Sequence, residues 1–169
     1  MKKLFLFSTI AIAISTFNTA CAQKPSPATV SKGLLANGNE ISINYSSPAL
    51  KGRTIGKDVE PMQGKVWRAG ANDATVFEIT KDATINGKAL SAGKYGFFTI
   101  DNGTDWTLIF NKTSKSWGAF SYKEAEDALR VNVKPSNTAT SMERLTYTIS
   151  ASGKVSLNWG TLQVDFEVK

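Results

Sequence analysis

Residues 94–111 read KYGFFTI-DNGT-DWTLIFN, and this stretch decides the fold. It carries large apolar side chains on both faces of each run: Phe97, Phe98, Ile100, Trp106, Leu108, Ile109 and Phe110. The intervening Asp101-Asn102-Gly103-Thr104 has the residue types of a turn. Two such runs around a turn predict a β-hairpin. Because neither face is polar, we expect this hairpin at the centre of the domain, packed on both sides.

Two Asn-Gly pairs that precede this stretch in the sequence predict further hairpins. Asn37-Gly38 separates extended runs at 29–35 and 40–45, and Asn86-Gly87 lies between two short runs. Both residue types tolerate the positive φ of a type I′ turn, so we expect that turn at each pair. Ser121 and Glu124 match a capping box, which predicts one short helix at about residues 122–128.

The C-terminal third alternates apolar and polar residues and predicts strands at 143–150, 154–159 and 162–168, after a loop at 134–141. The apolar parity changes beyond Trp159, and we attribute this change to a type II′ turn at Gly160 rather than to a bulge. About ten short strands with almost no helix predict an all-β fold. We expect an antiparallel, jelly-roll-like β-sandwich, with a β-barrel as the alternative.

The N-terminus has the pattern of a secretory signal peptide. Two lysines precede the apolar run 4–14, which is shorter than the ~20 residues that span a bilayer, and Ala20-Cys21-Ala22 fits an A-x-A cleavage site. We therefore expect a signal peptide at 1–22, an extended tether at 23–28 and a single domain at 29–169. The protein would be exported, to the periplasm or beyond. The alternative is an outer-membrane lipoprotein lipidated at Cys21.

Composition excludes several kinds of site. The chain has no histidine and one cysteine, so Ser-His-Asp triads and His-ligated metals are excluded. We expect no catalytic residue, no metal and no cofactor. The formal charge is +6, from 20 basic and 14 acidic residues, but no Lys/Arg cluster appears. Nucleic acid is therefore not an expected partner.

The most unusual polar stretch is residues 64–75, GKVWRAGANDAT, which follows a Gly/Pro-rich loop at 47–64. A loop of this length in a compact domain is either functional or mobile. An arginine can hold a carboxylate or phosphate with a bidentate fork, and a tryptophan can stack on a sugar or on that guanidinium. We predict a site for a small polar or anionic ligand or glycan, with two further aromatic residues as a wall: Tyr45, Arg53, Trp67, Arg68, Asn72, Trp117 and Tyr122.

A purely structural interpretation competes with this site. Trp67 would be core, Arg68 would pair with a nearby carboxylate, and Asn72-Asp73 would make an Asx turn. A solvent-facing Arg68 in a concave site would favour binding, whereas a buried pair with one carboxylate would favour structure. Strand parity predicts burial of Trp106 and Trp159 and leaves Trp117 and Tyr122 as the aromatic pair expected at the surface.

Two other classes of function compete with ligand binding. A glycan hydrolase would need two carboxylates in one cleft, with candidates at Glu60, Asp73 and Glu78. A structural envelope protein would expose an apolar patch and would have no pocket near Arg68.

Several blocks, in order, carry a family resemblance. They are YSSP at 45–48, KGR at 51–53, GKVWRAGAN at 64–72, LSAGKY at 90–95, WTLIFN at 106–111, and WGAF at 117–120 with the segment after it. In these blocks the chain resembles an exported bacterial family called domain of unknown function 2911. The resemblance covers nearly all of the chain after residue 22. It implies export and a common fold, and it implies no mechanism.

Overall fold

The computed structural model describes residues 26–169, which form eleven β-strands and a single 3-10 turn at Glu124–Glu126. The strands are β1 Ala28–Leu34, β2 Glu40–Ser46, β3 Val66–Trp67, β4 Thr75–Ile79, β5 Ala83–Ile85, β6 Lys88–Leu90, β7 Gly93–Asp101, β8 Trp106–Asn111, β9 Asp127–Val133, β10 Ser136–Ile149 and β11 Lys154–Glu167. The predicted signal peptide, Cys21 and most of the predicted tether lie outside the described residues. Within 26–169, no helix is long and apolar enough to cross a membrane.

The first layer is an antiparallel sheet in the order β1-β2-β4-β7-β8-β9, with β3 paired to β7 beyond the end of β4. The predicted hairpin, β7–β8, lies at its centre, with Phe97 opposite Phe110. Successive side chains of a strand point to opposite faces. Phe97 accordingly packs into the main core, whereas Phe98 packs with Ile109 in a second cluster on the outer face. The prediction of a centre packed on both sides is confirmed.

The second layer joins two hairpins, β10–β11 and β5–β6. A bridge between Ile85 and Val168 connects β5 to the end of β11, and the Thr84 N–H donates to the Lys169 carbonyl at 2.6 Å. Aromatic rings from both layers fill the space between them: Trp67, Phe77, Phe97, Phe110, Trp159 and Phe166. The strands do not close into a barrel, and the predicted β-sandwich is confirmed.

Both Asn-Gly hairpins form, but their turns differ. Asn86 and Gly87 have φ of +47° and +82°, as a type I′ turn requires. At the first pair only Gly38 has a positive φ, +73°, so that turn is not type I′. The Leu35 N–H instead donates to the Asn39 carbonyl across a longer loop.

The predicted turn at Gly160 is wrong, because β11 is one continuous strand through this residue. Gly160 has a φ of +59° and lies opposite Met142, between two register shifts along β10. At both shifts the extra residues lie on β10, and the positive φ of Gly160 coincides with the point where β11 changes the face that its side chains present to the core. Trp159 before the bulge and Val164 after it are therefore both buried.

Two smaller predictions are also wrong. β10 begins at Ser136, inside the predicted loop 134–141, because its first residues pair with the end of β11. The predicted helix is only the 3-10 turn, and it has no side-chain cap. Ser121 Oγ lies 2.7 Å from Ser116 Oγ instead of capping the Glu124 amide.

Candidate functional site

A cleft of about 540 Å³ opens between the loop 47–65 and the segment after β3. Its wall includes three basic residues, two acidic residues and two indoles: Lys51, Arg53, Arg68, Asp58, Glu60, Trp67 and Trp159. The short strand β3 positions Trp67 and Arg68, since its pairing with Thr99 and Ile100 of β7 ties them to the central hairpin. The cleft therefore rests on the central strand β7 of the first sheet.

Arg68 is half-buried in this wall and has no ion-pair partner within residues 26–169. Its Nε is fully buried and has no hydrogen-bond acceptor among the described residues. A buried donor without an acceptor costs about 1–3 kcal/mol. Arg68 thus lies in a concave site and does not make the carboxylate pair that the structural interpretation requires.

The two indoles of the wall belong to the core. Trp67 and Trp159 are buried and stack with ring centroids 6.0 Å apart and planes 15° apart. Trp67 Nε1 donates to the Gly70 carbonyl at 3.1 Å. Trp159 Nε1 is buried and, like Arg68 Nε, has no acceptor in the described part of the chain. The cleft thus contains two residues with unused buried donors.

The other cations come from the long loop. Arg53 is largely occupied there, because its Nε donates to the Leu50 carbonyl at 2.9 Å and its Nη2 to the Ala49 carbonyl at 2.7 Å. Lys51 is exposed, and its ammonium makes no ion pair with any described residue. β10 holds this loop through Glu143, which accepts the Leu50 N–H at 2.9 Å and the Lys51 N–H at 2.8 Å.

The two carboxylates of the cleft stabilise the loop that carries them. Asp58 Oδ2 accepts the Thr54 N–H, and Glu60 Oε2 accepts the Met62 N–H, each at 2.9 Å. Neither carboxylate is within ion-pair distance of Arg68. The guanidinium is therefore not neutralised by the loop 47–65.

Unusual backbone conformations concentrate at the cleft. Lys51 and Ala69 have φ of +49° and +51°, in a region that costs about 1–3 kcal/mol for a residue with a Cβ. A Cβ on Gly70 would lie 2.8 Å from Thr75 Oγ1 and 3.2 Å from the Ser46 carbonyl oxygen. The close approach of Thr75 on β4 and of the Ser46 backbone on β2 therefore requires a glycine at position 70.

Two of the predicted site residues, Tyr45 and Asn72, do not line the cleft. Tyr45 is buried, packs edge-on against Tyr147 at 4.8 Å, and its hydroxyl accepts the Tyr147 N–H at 3.3 Å. Asn72 has a φ of +59°, and its Nδ2 donates to the Ser26 carbonyl at 3.2 Å. The structure gives both residues roles in connecting segments of the chain.

The predicted aromatic wall lies on the outer face of the first sheet. Tyr122 packs against Phe98 at 5.3 Å and donates to Asp127 Oδ2 at 2.7 Å. Burial, followed by the hydrogen bond and charge of Asp127, raises the pKa of Tyr122 well above its usual range. Trp117 is exposed and pairs through its backbone with Asp73. Of the seven predicted residues, the cleft brings together Arg53, Trp67 and Arg68.

Sequence reasoning missed Lys51 and Trp159 as residues of the cleft. Lys51 stands two positions before Arg53 in a Gly-containing loop, which was an available signal. Trp159 is core, as its parity predicts, and its place in the wall depends on how the second layer crosses the first.

The chain matches the family described as "Protein of unknown function (DUF2911)" over residues 26–168. No curated protein and no solved structure matches the chain. The matched region includes every strand of both layers and the whole cleft wall. The chain belongs to the DUF2911 family.

Proposed function

We propose that the protein binds a small anionic ligand, through a carboxylate or phosphate group, in the cleft at Arg68. The observation that carries this proposal is the half-buried Arg68 guanidinium, which lines the cleft and has no ion-pair partner among residues 26–169. Its buried Nε also has no acceptor there. Buried polar groups in proteins are nearly always hydrogen-bonded, and an exception calls for an explanation. An anion bound in the cleft would give the Arg68 guanidinium the charge partner that the described chain does not supply.

The charge of the wall supports an anion over a neutral ligand. Three basic residues face two acidic ones, and the acids already accept loop N–H groups. Hydrogen bonds from a guanidinium to an anion are roughly twice as strong as neutral ones. Arg68 is therefore the main anion contact, and Lys51 adds attraction at the rim.

The burial of the indoles favours a small ligand over a stacked glycan. Stacking needs an open ring face, and Trp67 and Trp159 cover each other's faces within the core. Because both indoles are buried, recognition rests on charge and hydrogen bonding. We propose a non-catalytic binding module on this ground.

The hydrolase alternative would draw on the carboxylates of the cleft. Of its three predicted candidates only Glu60 lines the wall, whereas Glu78 pairs with Lys94 at 3.3 Å and Asp73 lies beside Trp117. Asp58 would have to supply the second carboxylate. Both wall acids stabilise the loop backbone, which favours a structural role for them.

The binding proposal is tested by calorimetric titration of the full chain with inorganic phosphate and with acetate, at constant ionic strength. We expect saturable binding of at least one anion. Arg68→Gln should weaken it about ten- to hundredfold, since charged hydrogen bonds contribute about 1.5–3 kcal/mol. Arg68→Lys should recover part of the affinity, because it restores the charge without the planar fork.

Arg130→Gln is the matched control, because Arg130 is a partly buried arginine on β9 that pairs with Asp127 and does not line the cleft. It should leave anion affinity unchanged. Binding that is equal in wild type and Arg68→Gln, or no saturable binding in wild type, would rule the proposal out. Trp67→Ala is uninformative, because it removes a core side chain.

We also propose that the protein is exported. The basic start, the apolar run 4–14 and Ala20-Cys21-Ala22 support this, and all lie outside the described residues. Mass spectrometry of the protein purified from its own cells distinguishes the two predicted forms. Cleavage after Ala22 leaves Gln23 as the first residue, whereas a lipoprotein starts at a lipidated Cys21. An uncleaved Met1 would contradict both.

A further inference from the structure

The outer face of the first sheet carries an aromatic loop that no part of the proposed anion cleft uses. Residues 112–123 cross this face, and Ala119 and Tyr122 pack down onto Phe98 and its neighbours. Trp117 and Phe120 of the same loop do not: they are 65% and 89% exposed. Two large aromatic side chains exposed within four residues are a mark of an interaction surface.

The loop holds these aromatic residues outward by regular bonds. The Ala74 N–H donates to the Ser116 carbonyl at 2.9 Å, and the Gly118 N–H donates to the Asn72 carbonyl at 3.1 Å. Between these two hydrogen bonds, the backbone of Trp117 forms an antiparallel β-bridge with Asp73. Both flanks of Trp117 are thus fixed to the sheet, and its exposure is a property of the fold.

The charged residues within this loop are basic, and acidic residues flank it at Asp73, Glu124 and Glu126. Residues 112–123 contain Lys112, Lys115 and Lys123 and no acidic residue. Lys123 pairs with Glu126 at 3.8 Å, whereas Lys112 and Lys115 make no ion pair with any described residue. Tryptophan, phenylalanine and lysine are residue types of protein surfaces that lie in the membrane interface.

The start of the described chain lies on the same side as this loop. Asn72 connects the two, since its Nδ2 donates to the Ser26 carbonyl at 3.2 Å and its own carbonyl accepts the Gly118 N–H. Ser26 is only five positions after Cys21 in the sequence, a reach of at most about 18 Å. An N-terminus held at a membrane would therefore bring this face toward the same membrane.

We propose that Trp117 and Phe120 insert into the headgroup region of an anionic lipid bilayer, with Lys112 and Lys115 against the lipid phosphates. Tryptophan prefers this depth, where its ring is apolar and its N–H remains hydrated. The surface is small, with two aromatic side chains, and its rim is charged. A stable protein interface instead needs about 800 Å² from each partner.

Fluorescence quenching tests the proposal on the full chain, because Trp67, Trp106 and Trp159 are buried and Trp117 is the exposed tryptophan. The probe is a vesicle of phosphatidylglycerol and phosphatidylcholine that carries a doxyl-labelled phosphatidylcholine. We expect the vesicles to quench part of the emission, and Trp117→Phe to remove that quenching while vesicle binding persists. Added salt should weaken binding, because it screens the lysines.

Phe120→Ser should weaken vesicle binding about tenfold. Leu34→Ser is the matched control, since Leu34 is an exposed apolar residue on β1 away from this loop, and it should change nothing. Vesicle association without quenching of Trp117 would show that another segment binds lipid, and would overturn the proposal. So would protection of Trp117 from aqueous acrylamide without vesicles, which would indicate self-association of the chain. The Arg68→Gln titration is independent of both outcomes.

Discussion

At the scale of single residues, Tyr147 of β10 connects the second layer to the segment 64–75, which carries Arg68. Its hydroxyl donates to the Ala69 carbonyl at 2.7 Å, and its N–H donates to the Tyr45 hydroxyl at 3.3 Å. Burial, followed by the nearby Tyr45, raises the pKa of Tyr147 well above 10.0. The folded protein thus needs this phenol neutral, so that its O–H can donate to the Ala69 carbonyl.

The raised pKa of Tyr147 predicts loss of stability at alkaline pH. The folded pKa exceeds the unfolded one, so the contribution is complete below pH 10 and declines as pH rises toward the folded pKa. Tyr147→Phe should cost about 1 kcal/mol at neutral pH through the lost hydrogen bond. It should also reduce the alkaline decline, measured by urea unfolding from pH 8 to 11. An equally steep decline in the variant would contradict this role.

At the scale of elements, Gly160 marks the point in β11 where the buried side chains change from odd-numbered to even-numbered positions. Gly160 is buried at φ +59°, where a Cβ would lie 3.3 Å from Ile55 Cδ1 and 3.4 Å from Leu50 Cδ1. The bulge therefore lies directly under the loop that forms the cleft. It allows β11 to bury Trp159 in the cleft wall and Phe166 in the core with the same strand.

We expect Gly160→Ala to destabilise the protein by about 1–2 kcal/mol, because the left-handed region is unfavourable for a residue with a Cβ. Gly87→Ala is the matched control: its φ of +82° carries the same kind of cost, but open space surrounds the new Cβ. Chemical denaturation should show a cost at both sites and a larger one at Gly160, where Ile55 and Leu50 must move. A neutral Gly160→Ala would show that the bulge tolerates a Cβ.

At the scale of the whole molecule, one aromatic core joins the two layers. Phe166 of β11 lies 6.1, 5.8 and 6.0 Å from Phe77, Phe97 and Phe110 of the first sheet, between ring centroids. Residues 26–169 contain no cysteine, so no disulfide within them supports the sandwich. Its stability rests on this packing, and we expect both layers to unfold together.

Phe166→Ala should lower the free energy of unfolding by about 3–5 kcal/mol, the usual cost of removing a buried phenylalanine ring. Phe120→Ala removes the same atoms from an exposed position and should change stability by no more than about 0.5 kcal/mol. Thermal and denaturant unfolding, followed by circular dichroism and tryptophan emission, measure both. Separate transitions for the two signals would show that the layers are not one cooperative unit.

Much of this fold could be predicted from local patterns. The central hairpin, the Asn-Gly hairpins and the sandwich class follow from alternation and turn residues, which act over a few neighbouring positions. The errors at Gly160 and at residues 134–141 have a shared cause. A parity change fits a turn and a bulge equally well, and a polar run fits a loop or an edge strand. Only the pairing of β10 with β11 distinguishes them.

The sequence by itself determined which side chains alternate toward a core, that residues 26–169 would hold no disulfide, and that Arg68 lies beside an unusual loop. Only the tertiary structure decided which residues share the cleft. In the structure, Lys51 and Trp159 line the same cleft as Arg68. Tyr45 and Asn72 instead make hydrogen bonds within the protein, and Trp117 is exposed on the outer face of the first sheet. The physical reason is that strand parity fixes a face, whereas the crossing of two layers fixes which distant loops meet on it.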